Sequence, residues 1–126
     1  GSEIYGQVYN SVIGAGVVIG KDAIVRDSIV MQGSTICNGA VVEKAIIAED
    51  VKVGDNAHLG VGEYAPSKYD PKVYQFDLVT VGEHTVIPAN VQIGKNTAIS
   101  GVTVPEDYPN GILESGDYII KAGGIR

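Results

Sequence analysis

The chain has 126 residues, a formal net charge of -6 and a single cysteine. The acidic balance argues against a nucleic-acid partner or an anionic membrane surface, because both select clustered Lys and Arg. No apolar run approaches the roughly twenty residues that span a bilayer. One cysteine cannot form an internal disulfide, which is consistent with a reducing, cytoplasmic location. One repeat pattern over this length predicts one domain, residues 1–126.

A repeat of seventeen residues organises the first half of the chain. Ile13 falls on Val30 and Ile47, and each block divides into steps of six, five and six residues. The aliphatic residues that mark the steps are Ile13, Ile19, Ile24, Val30, Ile36, Val41, Ile47, Val53 and Leu59. Self-similarity at a fixed short period predicts a solenoid, because one unit cannot bury its apolar residues alone and stacking makes the core continuous.

Each step has the order aliphatic, small, polar, polar, small, as in residues 53–57. The first and fifth residues are predicted to point inward, and the residues between them tolerate unusual backbone angles. Three steps close a triangular coil, and coils stack at the inter-strand spacing of roughly 4.8 Å. A helical solenoid is excluded because apolar residues do not recur at three-and-four spacing and Gly and β-branched residues are frequent. The sequence therefore predicts an all-β, single-stranded parallel β-helix.

The repeat breaks after residue 60 and resumes at residue 81, so residues 61–80 are predicted to form one long loop insertion. Loops of this length in a compact fold are usually functional or mobile. Tyr64, Tyr69 and Tyr74 lie in this insertion. They are candidate interface residues, since a tyrosine ring buries area while its hydroxyl stays hydrogen-bonded. Three roles remain open for the insertion: packing on a face of the solenoid, contact with another domain or subunit, or cover for a ligand.

The tail, residues 102–126, loses the repeat and is predicted to cap the open end of the solenoid. Pro105 and Pro109 suit turns, and residues 118–120 suit a closing strand that would cover an exposed sheet edge. The sequence therefore divides into a repetitive body, one insertion and a C-terminal cap.

Side chains with catalytic potential are few and scattered. His58 and His84 lie near predicted corners, where a histidine is either a solvated turn residue or the general base of an acyltransferase. Cys37 replaces a repeat glycine and, without a nearby base, is expected to act as a small apolar residue. The sequence predicts neither a catalytic constellation nor a metal site in these 126 residues.

The repeat resembles the hexapeptide-repeat family, and this resemblance implies a left-handed β-helix. Four stretches of the chain carry a closer resemblance: residues 10–14, residues 25–33 (Val-Arg-Asp-Ser-Ile-Val-Met-Gln-Gly), residues 43–47 and residues 86–96. They resemble the C-terminal domain of the glucose-1-phosphate adenylyltransferases. That family makes ADP-glucose and pyrophosphate from ATP and glucose 1-phosphate for glycogen biosynthesis. The parent protein would therefore carry out nucleotidyl transfer with Mg²⁺ and ATP on an N-terminal catalytic domain that these residues do not include.

For this chain the resemblance implies an assembly and allosteric domain that is inactive alone. Its partners would be its own N-terminal catalytic domain, the other subunits of a homo- or hetero-tetramer, and a phosphorylated effector. Arg26, Lys44 and Lys121 are the candidate effector-binding residues, since phosphates are usually held by Arg or Lys. The alternative is a trimeric hexapeptide-repeat acyltransferase that uses acyl-CoA, with His58 or His84 as its base.

Overall fold

The computed structural model describes residues 2–69, 72 and 77–121 of the chain. Its strands form three parallel sheets around one core, and from Glu3 to Ser100 consecutive strands fall on the three sheets in rotation. Strands in register are therefore neighbours in a sheet although they are one coil apart in the chain. This arrangement confirms the parallel β-helix that the repeat predicts.

Each sheet is a stack of short strands that follow one another along the solenoid axis. Sheet A contains β1 (Glu3–Ile4), β4 (Val18–Ile19), β7 (Thr35–Ile36), β10 (Lys52–Val53) and β13 (Val86–Ile87). Sheet B contains β2 (Gln7–Tyr9), β5 (Ile24–Arg26), β8 (Val41–Glu43), β11 (His58–Val61), β14 (Gln92–Gly94) and β16 (Ile112–Leu113). Sheet C contains β3 (Val12–Ile13), β6 (Ile29–Val30), β9 (Ala45–Ile47), β12 (Val79–Val81), β15 (Thr97–Ser100) and β17 (Tyr118–Ile120).

The core consists of aliphatic columns that run along the solenoid axis, one from each sheet. In sheet A, for example, Ile19 pairs with Ile36, which pairs with Val53, and all three are 0% exposed. The equivalent columns are Val25, Val42, Leu59 and Ile93 in sheet B and Val30, Ile47, Val81 and Ile99 in sheet C. Because strand side chains alternate between the two faces of a sheet, the other residue of a two-residue strand faces outward.

Corners between sheets are built from residues with positive φ. Asp22, Asn56 and Asn90 adopt φ values of 63°, 59° and 64° at one such corner. Asn and Asp visit this region more readily than other residues with a Cβ because their short polar side chains bond locally. Lys44 and His84 also adopt this conformation, with φ values of 49° and 59°. The polar pairs of the repeat therefore serve as corners, as the sequence predicts.

The insertion interrupts the chain without interrupting the stack. β12 pairs in parallel with β9, so Val81 lies beside Ile47, two repeat lengths away instead of one. The chain therefore rejoins the stack at β12, in register with the preceding coil. The first part of this connection is tied to the body, since the backbone N–H of Lys68 donates to the carbonyl of Gly116 at 2.7 Å.

After β15 the chain departs from the repeat. Two 3₁₀ turns, Pro105–Asp107 and Pro109–Gly111, precede β16 and β17. Between them Tyr108 is 2% exposed and belongs to the core cluster. An aromatic side chain thus enters the core where the aliphatic columns end.

Candidate functional site

The two predicted effector residues of the body lie in adjacent coils on one edge of sheet B. Arg26 ends β5, and its Nη1 atom is 2.9 Å from Oε2 of Glu43, the residue beside it in β8. The Arg26 guanidinium also lies 5.7 Å from the centre of the Tyr9 ring in the preceding coil. Arg26 is therefore held between an aromatic ring and a carboxylate, and Glu43 neutralises its charge.

Lys44 begins the corner that follows Glu43. Its backbone N–H donates to the carbonyl of Arg26 at 3.1 Å, so the two basic residues are neighbours through the backbone. The residue is exposed, and its side chain forms no ion pair with any of the residues that the structure describes. Of the two, Lys44 offers the more available positive charge.

Lys121 lies apart from this pair, at the far end of the stack after β17. Its Nζ atom is 2.6 Å from Oδ2 of Asp107 and also donates to the carbonyl of Val102 at 3.2 Å. The hydrogen bond from Lys121 holds the pKa of the Asp107 carboxyl below its ordinary value. These contacts tie the last strand to the first 3₁₀ turn. The structure therefore does not bring the three predicted effector residues together.

The predicted interface tyrosines have different surroundings. Tyr64 is 67% exposed, whereas the Tyr69 ring lies 4.8 Å from the ring of Tyr118 between centroids. Tyr74 lies outside the described residues. Residues 62–69, which we call the insertion arm, are anchored by Lys68 and by the Asn96 side-chain amide, which donates to the carbonyl of Ala65 at 2.9 Å. Part of the insertion thus packs on its own solenoid.

A groove of about 480 Å³ separates the insertion arm from the end of sheet B. Tyr64, Gln92 and Ile112 line it together with two carboxylates, those of Glu63 and Glu114. Two negative charges repel a phosphate, so the groove is poorly suited to a phosphorylated effector. It is better matched to a neutral or cationic group.

The histidines and the cysteine do not form a catalytic cluster. His58 starts β11, while His84 lies at a corner between sheets C and A with its Nδ1 atom 3.8 Å from Oδ2 of Asp50. Cys37 is half-buried, and this burial raises the pKa of its thiol. Among the described residues no group of three His, Cys, Asp or Glu side chains is arranged to hold a metal ion. In the same part of the chain, no helical segment has the length and apolar character needed to cross a membrane.

One surface feature has no counterpart in the sequence-based predictions. Val12, Ile29 and Ile46 form the outward column of sheet C in its first three coils. Val12 is 64% exposed and Ile29 is 41% exposed, and Met31, two residues after Ile29 and on the same side of the sheet, is 38% exposed. We name these four residues the aliphatic face. The repeat contains this column, but periodicity alone does not show which columns lack cover.

The sequence relationships match this architecture. The family model described as the GMPPB C-terminal domain matches residues 8–104. The chain belongs to this family. Membership also supports the left-handed course of the coil that the resemblance implied.

The family member is also similar to glucose-1-phosphate adenylyltransferases. The chain is 65% identical to the Lachnospira eligens protein over 123 residues, and this alignment covers 98% of the chain and 29% of the relative. Identity to the Thermotoga maritima protein is 58% over 120 residues, covering 95% of this chain and 28% of the relative. Identity to the Acetivibrio thermocellus protein is 41% over 123 residues, covering 98% of this chain and 29% of the relative. The chain thus spans less than a third of these relatives and matches a C-terminal portion of them. These findings support the adenylyltransferase relationship and not the acyltransferase alternative.

Proposed function

We propose that this chain is the C-terminal β-helix domain of a glucose-1-phosphate adenylyltransferase and serves assembly and allosteric control. The observation that carries the proposal is the 65% identity over 98% of the chain to a protein of that name. The parent enzyme would form ADP-glucose and pyrophosphate from ATP and glucose 1-phosphate in the cytoplasm. ATP, Mg²⁺ and the reacting groups would belong to an N-terminal catalytic domain.

The architecture supports a structural and regulatory role. A solenoid with continuous aliphatic columns is stiff along its axis, since each coil is bonded to both neighbours through parallel strands. Such an element can couple two sites when effector binding changes how it packs on a catalytic domain. Within a tetramer the same stiffness would fix the spacing of the subunits.

The proposal assigns effector binding to Arg26, Lys44 and Lys121. The three residues differ in how available their positive charges are to a ligand. Lys44 is the strongest candidate because its ammonium is exposed and forms no ion pair within the described region. Arg26 would have to exchange Glu43 for a phosphate, and Lys121 would have to release Asp107. A phosphorylated ligand would therefore contact Lys44 first and displace Glu43 from Arg26.

The test compares the proposed full-length enzyme with a truncated version that ends just before Ser2 and so lacks the β-helix domain. We expect the complete protein to form ADP-glucose, to assemble as a tetramer in light scattering and to respond to a panel of phosphorylated metabolites. Truncation should reduce the oligomer and abolish the response. If oligomer size and response are both unchanged by truncation, the proposed role is wrong.

A histidine replacement separates this function from the acyltransferase alternative. Replacing His58 and His84 together by Gln should leave ADP-glucose formation unchanged, because neither belongs to a catalytic cluster. Acyl transfer from acyl-CoA that is present in the unaltered protein and lost in this variant would favour the alternative.

A further inference from the structure

A single buried asparagine holds both ends of the insertion. Asn96 lies at the corner between β14 and β15 and is 1% exposed. Its side-chain oxygen accepts the backbone N–H of Asp77 at 2.9 Å, and its amide nitrogen donates to the carbonyl of Ala65 at 2.9 Å. Ala65 belongs to the insertion arm, whereas Asp77 lies two residues before β12. One side chain therefore joins the outgoing and the returning ends of this connection.

The same corner is exposed to solvent in the earlier coils. Asn10, Asp27 and Lys44 occupy it between sheets B and C, with φ values of 48°, 49° and 49°, and all three are exposed. Asn96 has a similar φ of 56°, but it is buried because both ends of the insertion lie against it. A buried amide needs hydrogen-bond partners within the protein. Asn96 therefore has a role that the conformation of the corner alone does not require.

The insertion arm is also bonded to the cap. We call residues 114–117, between β16 and β17, the cap turn. The backbone N–H of Gly116 donates to the carbonyl of Lys95 at 2.7 Å, and its own carbonyl accepts the N–H of Lys68 at 2.7 Å. Gly116 has a φ of 84°, and a Cβ on this residue would overlap the carbonyl oxygen of Pro66. The cap turn is thus bonded to the coil corner through its N–H and to the arm through its carbonyl.

Three segments are therefore held by one another: the insertion arm, the coil corner at residues 94–96 and the cap turn. The corner is joined to the arm through Asn96 and to the cap turn through Lys95, whose N–H donates to Ser115 Oγ at 2.9 Å. The cap turn is joined to the arm through the N–H of Lys68. Because residues of one hydrogen-bond network are energetically coupled, loss of one contact weakens the other two.

The cap turn joins two strands that have a neighbour on one side only. β16 ends sheet B and β17 ends sheet C, whereas inner strands such as β8 and β9 are paired on both sides. In a solenoid the stability of a coil is approximately the sum of its own term and the terms from its neighbours. The end coil therefore opens more easily than an inner coil, and its contacts with the insertion arm replace part of the missing neighbour.

We infer that the insertion arm and the cap turn form a latch, which opens and closes as one unit while the first coils of the solenoid stay folded. Proteins open in such cooperative units, whose stability differs from that of the whole fold. The groove beside the latch is lined by Tyr64 of the arm and by Ile112 and Glu114 of the cap. The groove therefore keeps its shape only while the latch is closed. This inference goes beyond the proposed function and does not rest on it.

Hydrogen–deuterium exchange followed by mass spectrometry measures the opening of each segment in the complete polypeptide. Asn96→Gly removes both side-chain hydrogen bonds and suits the positive φ at this corner. Exchange in the insertion arm and in β17 should become about tenfold faster, by the same factor in both, because about two hydrogen bonds are lost. Exchange in β7 and β8 should stay unchanged. The matched control, Asn10→Gly, makes the same replacement at the same corner of the first coil and should leave the arm and β17 unchanged.

A substitution in the cap tests the coupling from the other side. Gly116→Ala places a Cβ against the carbonyl oxygen of Pro66, so it should speed exchange in the insertion arm as well as in β17. Gly111→Ala is the matched control. Its φ of 75° is close to the 84° of Gly116, but the nearest atom to its Cβ is 3.6 Å away. This control should leave exchange in the arm unchanged.

Two results would overturn the inference. Asn96→Gly could speed exchange in the insertion arm while β17 keeps its rate, which would make the arm independent of the cap. Exchange could instead rise equally in the arm, β17, β7 and β8, which would show that only the whole solenoid opens. Neither measurement uses ADP-glucose formation. Coupled exchange in a polypeptide that makes no ADP-glucose would contradict the proposed function and leave the latch standing.

Discussion

The buried tyrosine of the cap should be the most informative position for stability. Thr103 Oγ1 donates its single proton to the carbonyl of Val86 at 2.6 Å. The Tyr108 hydroxyl, 2.9 Å from Thr103 Oγ1, must therefore be the donor in that contact. Burial raises the pKa of Tyr108 to about 12. The side chain thus fills the end of the core and has one obligatory hydrogen bond.

Three substitutions should give a defined order of costs. Tyr108→Phe keeps the ring and leaves no buried donor unpaired, so it should lower the unfolding free energy by about 1 kcal/mol. Thr103→Val leaves the buried Tyr108 hydroxyl without a hydrogen-bond acceptor and should lower the unfolding free energy by about 1–3 kcal/mol. Tyr108→Ala opens a cavity at the end of the solenoid and should cost about 3–5 kcal/mol. Urea denaturation followed by circular dichroism measures all three.

The pH dependence supplies an independent check. The folded pKa of Tyr108 lies above the ordinary value of 10.0. Its contribution to stability is therefore complete below about pH 10 and is lost as pH rises through about 12, by up to about 2–3 kcal/mol. Tyr108→Phe should lack this component of the alkaline decline. The reasoning is refuted if Tyr108→Phe costs as much as Tyr108→Ala, or if both proteins decline equally between pH 10 and 12.

Three further predictions concern the core, the cap and a coil contact. Ile36→Ala should lower the unfolding free energy by about 2–5 kcal/mol in urea denaturation. Thr35→Ala, on the outer face of the same strand, should change it by no more than about 0.5 kcal/mol. Equal costs for the two variants would contradict the assigned orientation of this strand. Because Lys121 lowers the pKa of Asp107, this pair stabilises the fold above the ordinary carboxyl pKa and loses its effect as pH falls through the lowered one. Lys121→Met should therefore show a shallower acid decline than the unaltered chain, and identical acid titrations would count against the contact. A Cβ at Gly54 would lie 2.5 Å from a backbone nitrogen of the next coil, so Gly54→Ala should lower the thermal midpoint at a cost of about 1–3 kcal/mol, and an unchanged midpoint would argue against that close approach.

The candidate site shows where prediction from sequence reaches its limit. The repeat places Arg26 and Lys44 in adjacent coils, and the structure agrees. Glu43, which neutralises Arg26, also lies one repeat from it, so the seventeen-residue spacing could have predicted this ion pair. Lys121 is different, because its partner Asp107 lies in the irregular cap and no period relates the two residues. The effector role of all three stays a prediction.

The sequence by itself determined the parallel β-helix, its inward columns and its corners. Each of these depends on residues a fixed distance apart. In the strands between residues 7 and 42, adding seventeen to a residue number gives its neighbour in the next coil, as Ile19 and Ile36 show. Only the tertiary structure decided that Tyr69 packs on Tyr118 and that Val12 and Ile29 remain exposed. The insertion and the cap have no period, so their contacts depend on how the chain folds back in space. These contacts decide whether an outward column of side chains is covered. The repeat that produces the column therefore does not show its coverage.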